Sequence, residues 1–284
     1  ILHNGGKLVK DFPRIPGIDL SGKVLESSAE EFKKDDEIIV TGSRVGEIFH
    51  GGFSQMAKIK KELLIKKPNN LTSKQSMILG TAGFTALLCA FAVNAREEIL
   101  LGEKVSDVLV TGATGGVGTV AVMALSKIGY NVTAVTGKPN QETMLKKLGA
   151  KNVISRTEFD AEPKLLCKGL CDGVVDTVGG NILANAISQT KHSGIVAACG
   201  NAGGIKLNTS VMPFILRGVK LWGIDSVAVS LKRREFVWSQ VSSLIDFNIL
   251  NDTVQIVSMK ELLEIFPKML KGETSGRIVV DVNK

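Results

Sequence analysis

A glycine-rich segment with the spacing of a phosphate-binding turn lies in the sequence at 110–118, where it reads VTGATGGVG. Glycines placed in this way leave backbone N–H groups open at the start of a helix, where the helix dipole favours a pyrophosphate. The residues Asp107–Thr111 predict a strand before the turn, and the residues up to Ile128 predict a helix after it. A strand, a glycine turn and a helix in this order favour dinucleotide binding.

The next strand distinguishes between the two nicotinamide dinucleotides. It is predicted at 131–135 and is followed by Thr136, Gly137 and Lys138. Sites for NAD usually carry an Asp or Glu at this point, which binds the ribose 2′-OH. Here no carboxylate would repel a 2′-phosphate, and Lys138 can pair with one, as can Arg156 after the next strand. The pattern favours NADP(H), the alternative being that Lys138 is only a surface lysine.

The same uncharged run, 108–126, is long enough to cross a membrane. Its threonines and glycines weaken a continuous helix, however, and the periodicity changes from strand-like to helical across them. A second uncharged run at 75–95 is interrupted in the same way and then continues as an apolar helix. We therefore predict buried core elements in both places and no membrane span.

Two other kinds of catalytic site fit the sequence poorly. The glycine turn also matches the pattern of short-chain dehydrogenases, which implies a Tyr-x-x-x-Lys pair, but the single tyrosine, Tyr130, is followed by Ala134 at the lysine position. Cys167 and Cys171 are close in sequence without a second pair, which is a weak zinc signal. Among the loop histidines, His3 and His50 could face a cleft, although loop histidines are more often solvated.

The composition is that of a globular protein with a mildly basic surface. A chain of 284 residues is long enough for two domains, and its net charge of +7 favours anionic partners such as nucleotides. Aromatic residues do not interleave with the basic clusters, so we expect no nucleic-acid partner. Neither a signal peptide nor a disulfide-like spacing is visible, which predicts a reduced, cytoplasmic location.

The order of elements predicts two kinds of domain. The first part is β-rich, with strands expected in SGKVLESS, DEIIVTG and SQMAKIK. From about Thr72 helices and strands alternate, with strands in NVIS, GVVDTV, GIVAACG and KLWGID, and such alternation is typical of a parallel sheet covered on both faces. An amphipathic helix at 259–270 and a strand in GRIVVDV, which we expect to return to the first domain, complete the chain.

Several longer segments match one known family in order along nearly the whole chain. They include IPGIDLSG (15–22), GTAGFTALL (80–88), VLVTGATGGVG (108–118), DTVGG (176–180), PFILRGV (213–219), GIDS (223–226) and GRIVV (276–280). On these segments the chain resembles the medium-chain dehydrogenase/reductase superfamily, in its acryloyl-CoA reductase and quinone oxidoreductase branch. The resemblance implies an α/β protein with a GroES-like β-rich domain (1–73 and 226–284) and a Rossmann domain with a doubly wound parallel sheet (74–225).

The resemblance also implies where a cofactor binds. Around the pyrophosphate it places Thr114, Gly115, Gly116 and Val117. Around the 2′-phosphate it places Thr136, Gly137, Lys138 and Arg156. Towards the nicotinamide it places Asn201, Ile215, Ser226 and Arg277. For Ile215 the alternative is core packing, and for Arg277 it is a surface ion pair. Asn201 stands where the family has an apolar residue, so a contact there would use its backbone.

The zinc-dependent members of this superfamily carry Gly-His-Glu where this chain has Gly17, Ile18 and Asp19. Ile18 cannot bind a metal, so we expect no zinc, and we expect Asp19 to be a turn or hydrogen-bonding residue. The resemblance then implies an NADPH-dependent reductase of an activated C=C bond in a short enoyl-CoA such as acryloyl-CoA. The alternatives are a quinone or 2-alkenal reductase and a nucleotide-binding protein without turnover.

Two further expectations come from the family. It suggests a homodimer, and it places an Asn-Tyr-Lys-Asp segment, with its Tyr beside the nicotinamide, before the first residue of this chain. Because the chain opens ILHNGG without an initiator Met, we expect part of the N-terminal domain to be missing from it. No catalytic residue is assigned from the sequence.

Overall fold

A computed structural model describes residues 8–9, 11–95 and 106–284, so His3 lies outside the described residues. Contacts between Cα atoms divide the chain into two compact units. Unit 1 takes in the described residues of Ile1–Phe84, Ser226–Ser243 and Val254–Lys284, and unit 2 takes in those of Thr85–Asp225 and Leu244–Thr253. The domain boundaries expected from the family resemblance stay predictions.

The strands of the described residues, in chain order, are β1 (Asp19–Lys23), β2 (Glu37–Thr41), β3 (Ile65–Lys66), β4 (Asp107–Thr111), β5 (Asn131–Thr136), β6 (Ala150–Ser155), β7 (Cys171–Asp176), β8 (Thr190–Ala198), β9 (Lys220–Gly223), β10 (Val254–Ser258) and β11 (Arg277–Asp281). The α-helices are α1 (Ser73–Asn94), α2 (Gly116–Ile128), α3 (Glu142–Lys147), α4 (Gly180–Ser188), α5 (Met212–Arg217), α6 (Leu231–Ser239), α7 (Val241–Leu244), α8 (Phe247–Leu250) and α9 (Leu262–Leu270). Short 3-10 helices occur at Lys61–Leu63, Pro139–Gln141, Arg156–Glu158 and Asn251–Thr253.

Unit 2 contains a parallel sheet of six strands in the order β6-β5-β4-β7-β8-β9. This is the strand order of a dinucleotide-binding Rossmann fold, and the direction of winding reverses between β4 and β7. The central strands are apolar, and Leu109, Val174 and Val196 are buried in one core cluster with Ile187 of α4. The predicted α/β class with a doubly wound parallel sheet is confirmed, and ligands of such sheets bind beyond the carboxyl ends at the reversal.

Unit 1 contains a three-stranded antiparallel sheet, β1-β2-β3, and a separate parallel pair, β10-β11. Ile38, Val40 and Val45 form the buried centre of the first sheet. Behind the second pair, Val257 packs with Leu262 and Ile265 of α9. The final strand that was expected in GRIVVDV is present as β11, paired in register with β10.

Two elements differ from the sequence prediction. The strand expected in SQMAKIK is wrong, because residues 54–60 form bends and loop, and Ser54 Oγ donates to Met56 O at 2.7 Å in a local turn. Helix α1 begins before the expected residue 76. Thr72 Oγ1 accepts from Gln75 N at 3.1 Å while Gln75 Oε1 accepts from Thr72 N at 2.9 Å, a capping box that the sequence already contained.

Among the described residues, one helix, α1, is long and apolar enough to cross a membrane. Its most apolar window is 78% buried inside the protein, as in a core helix, and one such helix is weak support for a span. The helix is also interrupted at Gly80, where φ is 52° and ψ is −154°.

Candidate active site

The glycine turn follows β4 at the reversal of the sheet. Gly112 has a φ of +58°, and a Cβ atom there would collide with Thr177 Oγ1, so only glycine fits. Gly115, the N-cap of α2, has no side chain to cap the helix, and a Cβ there would meet only Gly112 O, at 3.3 Å. At Gly118 a Cβ would strike the same carbonyl, so α2 starts directly against the turn. The N-terminus of α2 is therefore a shallow cradle lined by backbone N–H groups, the form that a pyrophosphate requires.

A buried carboxylate that the sequence analysis did not single out holds this turn. Asp176, at the end of β7, is fully buried, and its Oδ1 accepts from Thr111 Oγ1 at 2.6 Å. Its Oδ2 accepts from Gly179 N at 2.8 Å and from Val178 N at 3.3 Å. Burial raises the pKa of Asp176 above its ordinary value, and these hydrogen bonds oppose the shift. The sequence feature that could have pointed to Asp176 is a single Asp at the end of an apolar strand.

Two predicted contact regions of the cofactor meet through a pair of threonines. Thr114 in the glycine turn and Thr136 at the end of β5 are both buried, and their hydroxyl oxygens are 3.2 Å apart. Thr136 Oγ1 also accepts from Lys138 N at 3.0 Å, which fixes the first residues after the strand. The turn expected around the pyrophosphate and the segment expected around the 2′-phosphate are thus adjacent in space.

Basic side chains lie beyond the carboxyl ends of β5 and β6. Arg156 follows β6 in a 3-10 helix, and a Cβ atom at Gly137 would lie 2.9 Å from its Cδ and 3.1 Å from its Nε. Arg156 is exposed and Lys138 is half-buried, and partial burial lowers the pKa of Lys138. Arg156 therefore lies against Gly137, the residue before Lys138, at the position where an acidic residue would stand in an NAD site.

The remaining predicted contacts of unit 2 are also exposed. Asn201 lies after β8, and its Cα would be 3.3 Å from a Cβ atom placed at Gly179, the N-cap residue of α4. Ile215 lies in α5, and 69% of it is exposed, so the alternative of core packing is wrong. The exposure leaves its side chain available for a ligand.

The two predicted contacts of unit 1 are held by buried polar groups. Arg234, which the sequence analysis missed, is buried and donates to Ser226 O at 2.7 Å, to Val227 O at 2.9 Å and to Thr41 O at 2.8 Å. Arg277 donates from Nε to Ile78 O at 2.8 Å and lies beside Asp19. Arg277 is half-buried and its Nε is bonded to a backbone carbonyl, so it is not an exposed surface ion pair. Burial lowers the pKa of this guanidinium, and the charge of Asp19 opposes that shift.

Other candidates have structural roles or remain outside this site. Tyr130 donates to Asn94 Oδ1 at 2.8 Å, just before the amino end of β5 and away from the carboxyl ends where ligands bind. His50 is exposed and its Nδ1 accepts from Ile15 N at 3.2 Å. Burial raises the pKa of Cys171 to about 12, so its thiol is unreactive at neutral pH.

Within residues 8–9, 11–95 and 106–284, no three His, Cys, Asp or Glu side chains gather closely enough to hold a metal ion. The expected absence of zinc stays a prediction. Asp19 accepts hydrogen bonds from Thr81, as expected for a hydrogen-bonding residue at that position.

A Rossmann sheet with a glycine turn at its reversal and cations at the neighbouring strand ends defines a dinucleotide-binding protein. The chain matches the family model described as zinc-binding dehydrogenase over residues 116–244. It is 42% identical to the acrylyl-CoA reductase AcuI of Ruegeria pomeroyi, over 98% of this chain and 84% of that protein. It is 41% identical to a Bacillus subtilis protein named as quinone oxidoreductase YhfP, over 97% of this chain and 83% of that one.

Solved structures agree with these relatives. The yhdH oxidoreductase of Salmonella enterica in complex with NADP is 40% identical and superposes with a TM-score of 0.92, covering 97% of this chain and 84% of that chain. The Bacillus subtilis yhfP protein with NAD bound is 41% identical with a TM-score of 0.91, covering 98% and 84%. The chain therefore belongs to the medium-chain dehydrogenase/reductase superfamily, in the branch of AcuI and YhfP, and it is an oxidoreductase. The recognition from sequence motifs is confirmed.

Proposed function

We propose that the protein is an NADPH-dependent reductase of an activated C=C bond, with a short enoyl-CoA thioester such as acryloyl-CoA as its substrate. The observation that carries the choice of cofactor is the packing of Arg156 against Gly137 beside Lys138. A 2′-phosphate placed there meets two cations, and none of the residues at 136–138 is acidic. The substrate class is supported by the 42% identity to an acrylyl-CoA reductase.

The residues present fit an NADP(H) dinucleotide. The pyrophosphate would lie on the cradle formed by Thr114, Gly115, Gly116 and Val117, where a Cβ atom at Gly118 would strike the turn. The 2′-phosphate would lie among Thr136, Gly137, Lys138 and Arg156. Towards the nicotinamide we propose Asn201, Ile215, Ser226 and Arg277.

When it is bound, NADPH supplies a hydride to the β carbon of the acceptor. The protein's own residues bind and orient the reactants. Backbone N–H groups at the start of α2 hold the pyrophosphate, and Asp176 and Thr111 keep that turn in place through their 2.6 Å hydrogen bond. Lys138 and Arg156 neutralise the 2′-phosphate, so that the dinucleotide is held at both of its charged groups.

A second candidate is an NADPH-dependent quinone or 2-alkenal oxidoreductase, which the 41% identity to YhfP favours. NADPH oxidation by the purified protein separates the two, with acryloyl-CoA, free acrylate, a 2-alkenal and a simple quinone as acceptors. We expect turnover with acryloyl-CoA and NADPH and much weaker turnover with NADH. Equal rates with the quinone would favour the second candidate, and no turnover with any acceptor would overturn both.

We further propose a homodimer located in the cytoplasm. Strand β9 is at one edge of the six-stranded sheet and all of its residues are exposed, including Leu221 and Trp222. An exposed apolar edge strand offers unpaired backbone groups to a second strand, and a second copy of the chain provides one. The four cysteines are free thiols, which agrees with a reducing compartment.

A further inference from the structure

Helix α1 is divided into two halves by a single residue. Gly80 has a φ of 52° and a ψ of −154°, which no α-helix contains, so the halves are 73–79 and 81–94. A break of this kind removes backbone hydrogen bonds across it, leaving carbonyl groups at the end of the first half and N–H groups at the start of the second. Buried groups of this kind require other partners.

Two charged side chains, which are distant in sequence, supply these partners. Arg277 of β11 donates from Nε to the carbonyl of Ile78, at the end of the first half, at 2.8 Å. Asp19 of β1 accepts at Oδ2 from Thr81 N, at the start of the second half, at 2.9 Å. Its Oδ1 accepts from the Thr81 hydroxyl. One carboxylate and one guanidinium therefore cap opposite sides of the same break.

Because Gly80 has no side chain, the Asp19 carboxylate and the Arg277 guanidinium can both lie next to its Cα. A Cβ atom at Gly80 would lie 2.5 Å from Asp19 Oδ2 and 2.8 Å from Arg277 Nη2. Both charges occupy the volume next to the Gly80 Cα, and the left-handed φ also favours glycine there. The GTAGFTALL segment begins with glycine for this structural reason.

The environment makes each charge depend on the other. Burial raises the pKa of Asp19, and the nearby Arg277 and the bonds from Thr81 oppose that shift. Burial lowers the pKa of Arg277, and the negative charge of Asp19 opposes it. Because a guanidinium is planar, its Nε–H bond to Ile78 O and the nearby charge of Asp19 together restrict the orientation of the whole group.

We infer that Asp19 is a positioning residue for Arg277, holding its guanidinium in the orientation in which it contacts the nicotinamide end of the dinucleotide. This inference rests on the proposed function, in which Arg277 contacts the cofactor. Asp19 itself touches no ligand in this scheme and acts through Arg277, with Thr81 fixing the carboxylate. The alternative is that Asp19 only caps the second half of α1 and contributes stability.

The test is a double-mutant cycle of Asp19→Asn and Arg277→Met, with the dissociation constant for NADPH measured by fluorescence titration. The amide keeps an oxygen for Thr81 N but loses the charge beside Arg277. We expect Asp19→Asn to weaken NADPH binding by about tenfold, the order of one charge-assisted contact. In the Arg277→Met background the same change should have almost no further effect, because the positioned group is gone.

A control variant and a second probe keep the result interpretable. Asp36→Asn removes another half-buried carboxylate of unit 1, one paired with Lys66, and should leave NADPH binding unchanged. If Asp19→Asn fails to fold, Thr81→Val replaces it, because it removes only the hydroxyl donor to Asp19. Thr81→Val should weaken NADPH binding by about threefold when Arg277 is present and have no effect in the Arg277→Met background. Thr81→Ser, which keeps the hydroxyl, should bind NADPH as the wild type does.

Two outcomes would overturn the inference. One is an equal loss of affinity from Asp19→Asn in both backgrounds, and the other is a lower melting temperature with unchanged NADPH binding. Both point to a purely structural cap. Failure of the proposed function is distinguishable, because wild-type protein would then not bind NADPH at all. If Lys138→Ala weakens binding and Asp19→Asn does not, only the inference about Asp19 fails.

Discussion

The hydroxyl of Thr111 donates a 2.6 Å hydrogen bond to the carboxylate of Asp176, and this bond joins the ends of β4 and β7 where the sheet reverses. Thr177 N in turn donates to Thr111 Oγ1 at 3.2 Å, so that one hydroxyl links both strand ends. The bond is buried, and it fixes the point from which the glycine turn begins. Its loss should therefore affect stability and cofactor binding together.

Replacing Thr111 with Val keeps the shape of the side chain and removes its hydroxyl. We expect a loss of about 1–3 kcal/mol in the free energy of unfolding, because buried donors and acceptors lose a partner. Urea denaturation followed by circular dichroism measures this. Thr111→Ser is the matched control and should retain most of the stability. Equal stability of the Val and Ser variants would show that the bond contributes nothing.

The pH dependence of stability should reflect Asp176. Its folded pKa is raised above the ordinary value of 3.8 by burial. A folded carboxyl with a raised pKa binds its proton more tightly than the unfolded chain does, so folding takes up a proton between the two values. This contribution favours the folded state at low pH and is lost as pH rises through the folded pKa.

The Asp176→Asn variant checks this sign, because it cannot titrate at that position. Between pH 7 and pH 4 the stability of the wild type should improve relative to the variant as the pH falls. Urea midpoints of both proteins across this range provide the measurement. A difference that stays constant with pH, or that moves in the opposite direction, would contradict the raised pKa.

Arg156 should select the 2′-phosphate. We expect Arg156→Ala to raise the dissociation constant for NADPH by about 10–100-fold, the cost of a charge-assisted contact to phosphate, and to leave NADH binding nearly unchanged. Lys151→Ala removes an exposed basic residue of β6, the strand before Arg156, and is the control. Equal losses for both dinucleotides would show that Arg156 does not contact the 2′-phosphate.

Gly137 offers a second test of the same site without removing any charge. A Cβ atom at this position would press on Arg156 at 2.9 Å, so Gly137→Ala should displace the guanidinium and weaken NADPH binding by about threefold to tenfold. The effect should disappear in an Arg156→Ala background. A Gly137→Ala protein that binds NADPH as tightly as the wild type would mean that Arg156 can move without losing its contact.

Gly118 should be intolerant of any side chain. Its Cβ would strike Gly112 O, so Gly118→Ala must push α2 away from the turn, and we expect a loss of about 1–3 kcal/mol in stability together with weakened NADPH binding. Gly22→Ala, in β1, meets no atom within 4 Å and is the matched control. Thermal denaturation with and without NADPH compares the two. Equal melting temperatures of the two variants would show that α2 is not packed closely against the turn at Gly118.

The proposed dimer should depend on the apolar edge of β9. Trp222 is 43% exposed there, and Trp222→Asp would bring a charge to the centre of a paired edge. Light scattering coupled to size-exclusion chromatography should show a dimer for the wild type and a monomer for the variant. Lys232→Glu, at an exposed position of α6, controls for the change in charge. A dimer that survives Trp222→Asp would place the interface elsewhere.

Local patterns in the sequence were sufficient to predict the nucleotide-binding part of the fold. The β-branched strand at Asp107–Thr111, the glycines after it and the helix to Ile128 occur as predicted, because each depends on residues close together in the chain. The alternation that follows predicted a parallel sheet for the same reason. The strand expected in SQMAKIK failed because so short an apolar pattern is also compatible with bends and loop.

What the sequence by itself determined is the class of fold, the glycine turn and the lack of a carboxylate after β5. Only the tertiary structure decided which distant residues meet. Asp19 and Thr81 are 62 positions apart, Arg277 and Ile78 are 199 apart, and Thr111 and Asp176 are 65 apart. Nothing in local propensity encodes such pairs, because they form when chain packing buries polar groups that must then find partners.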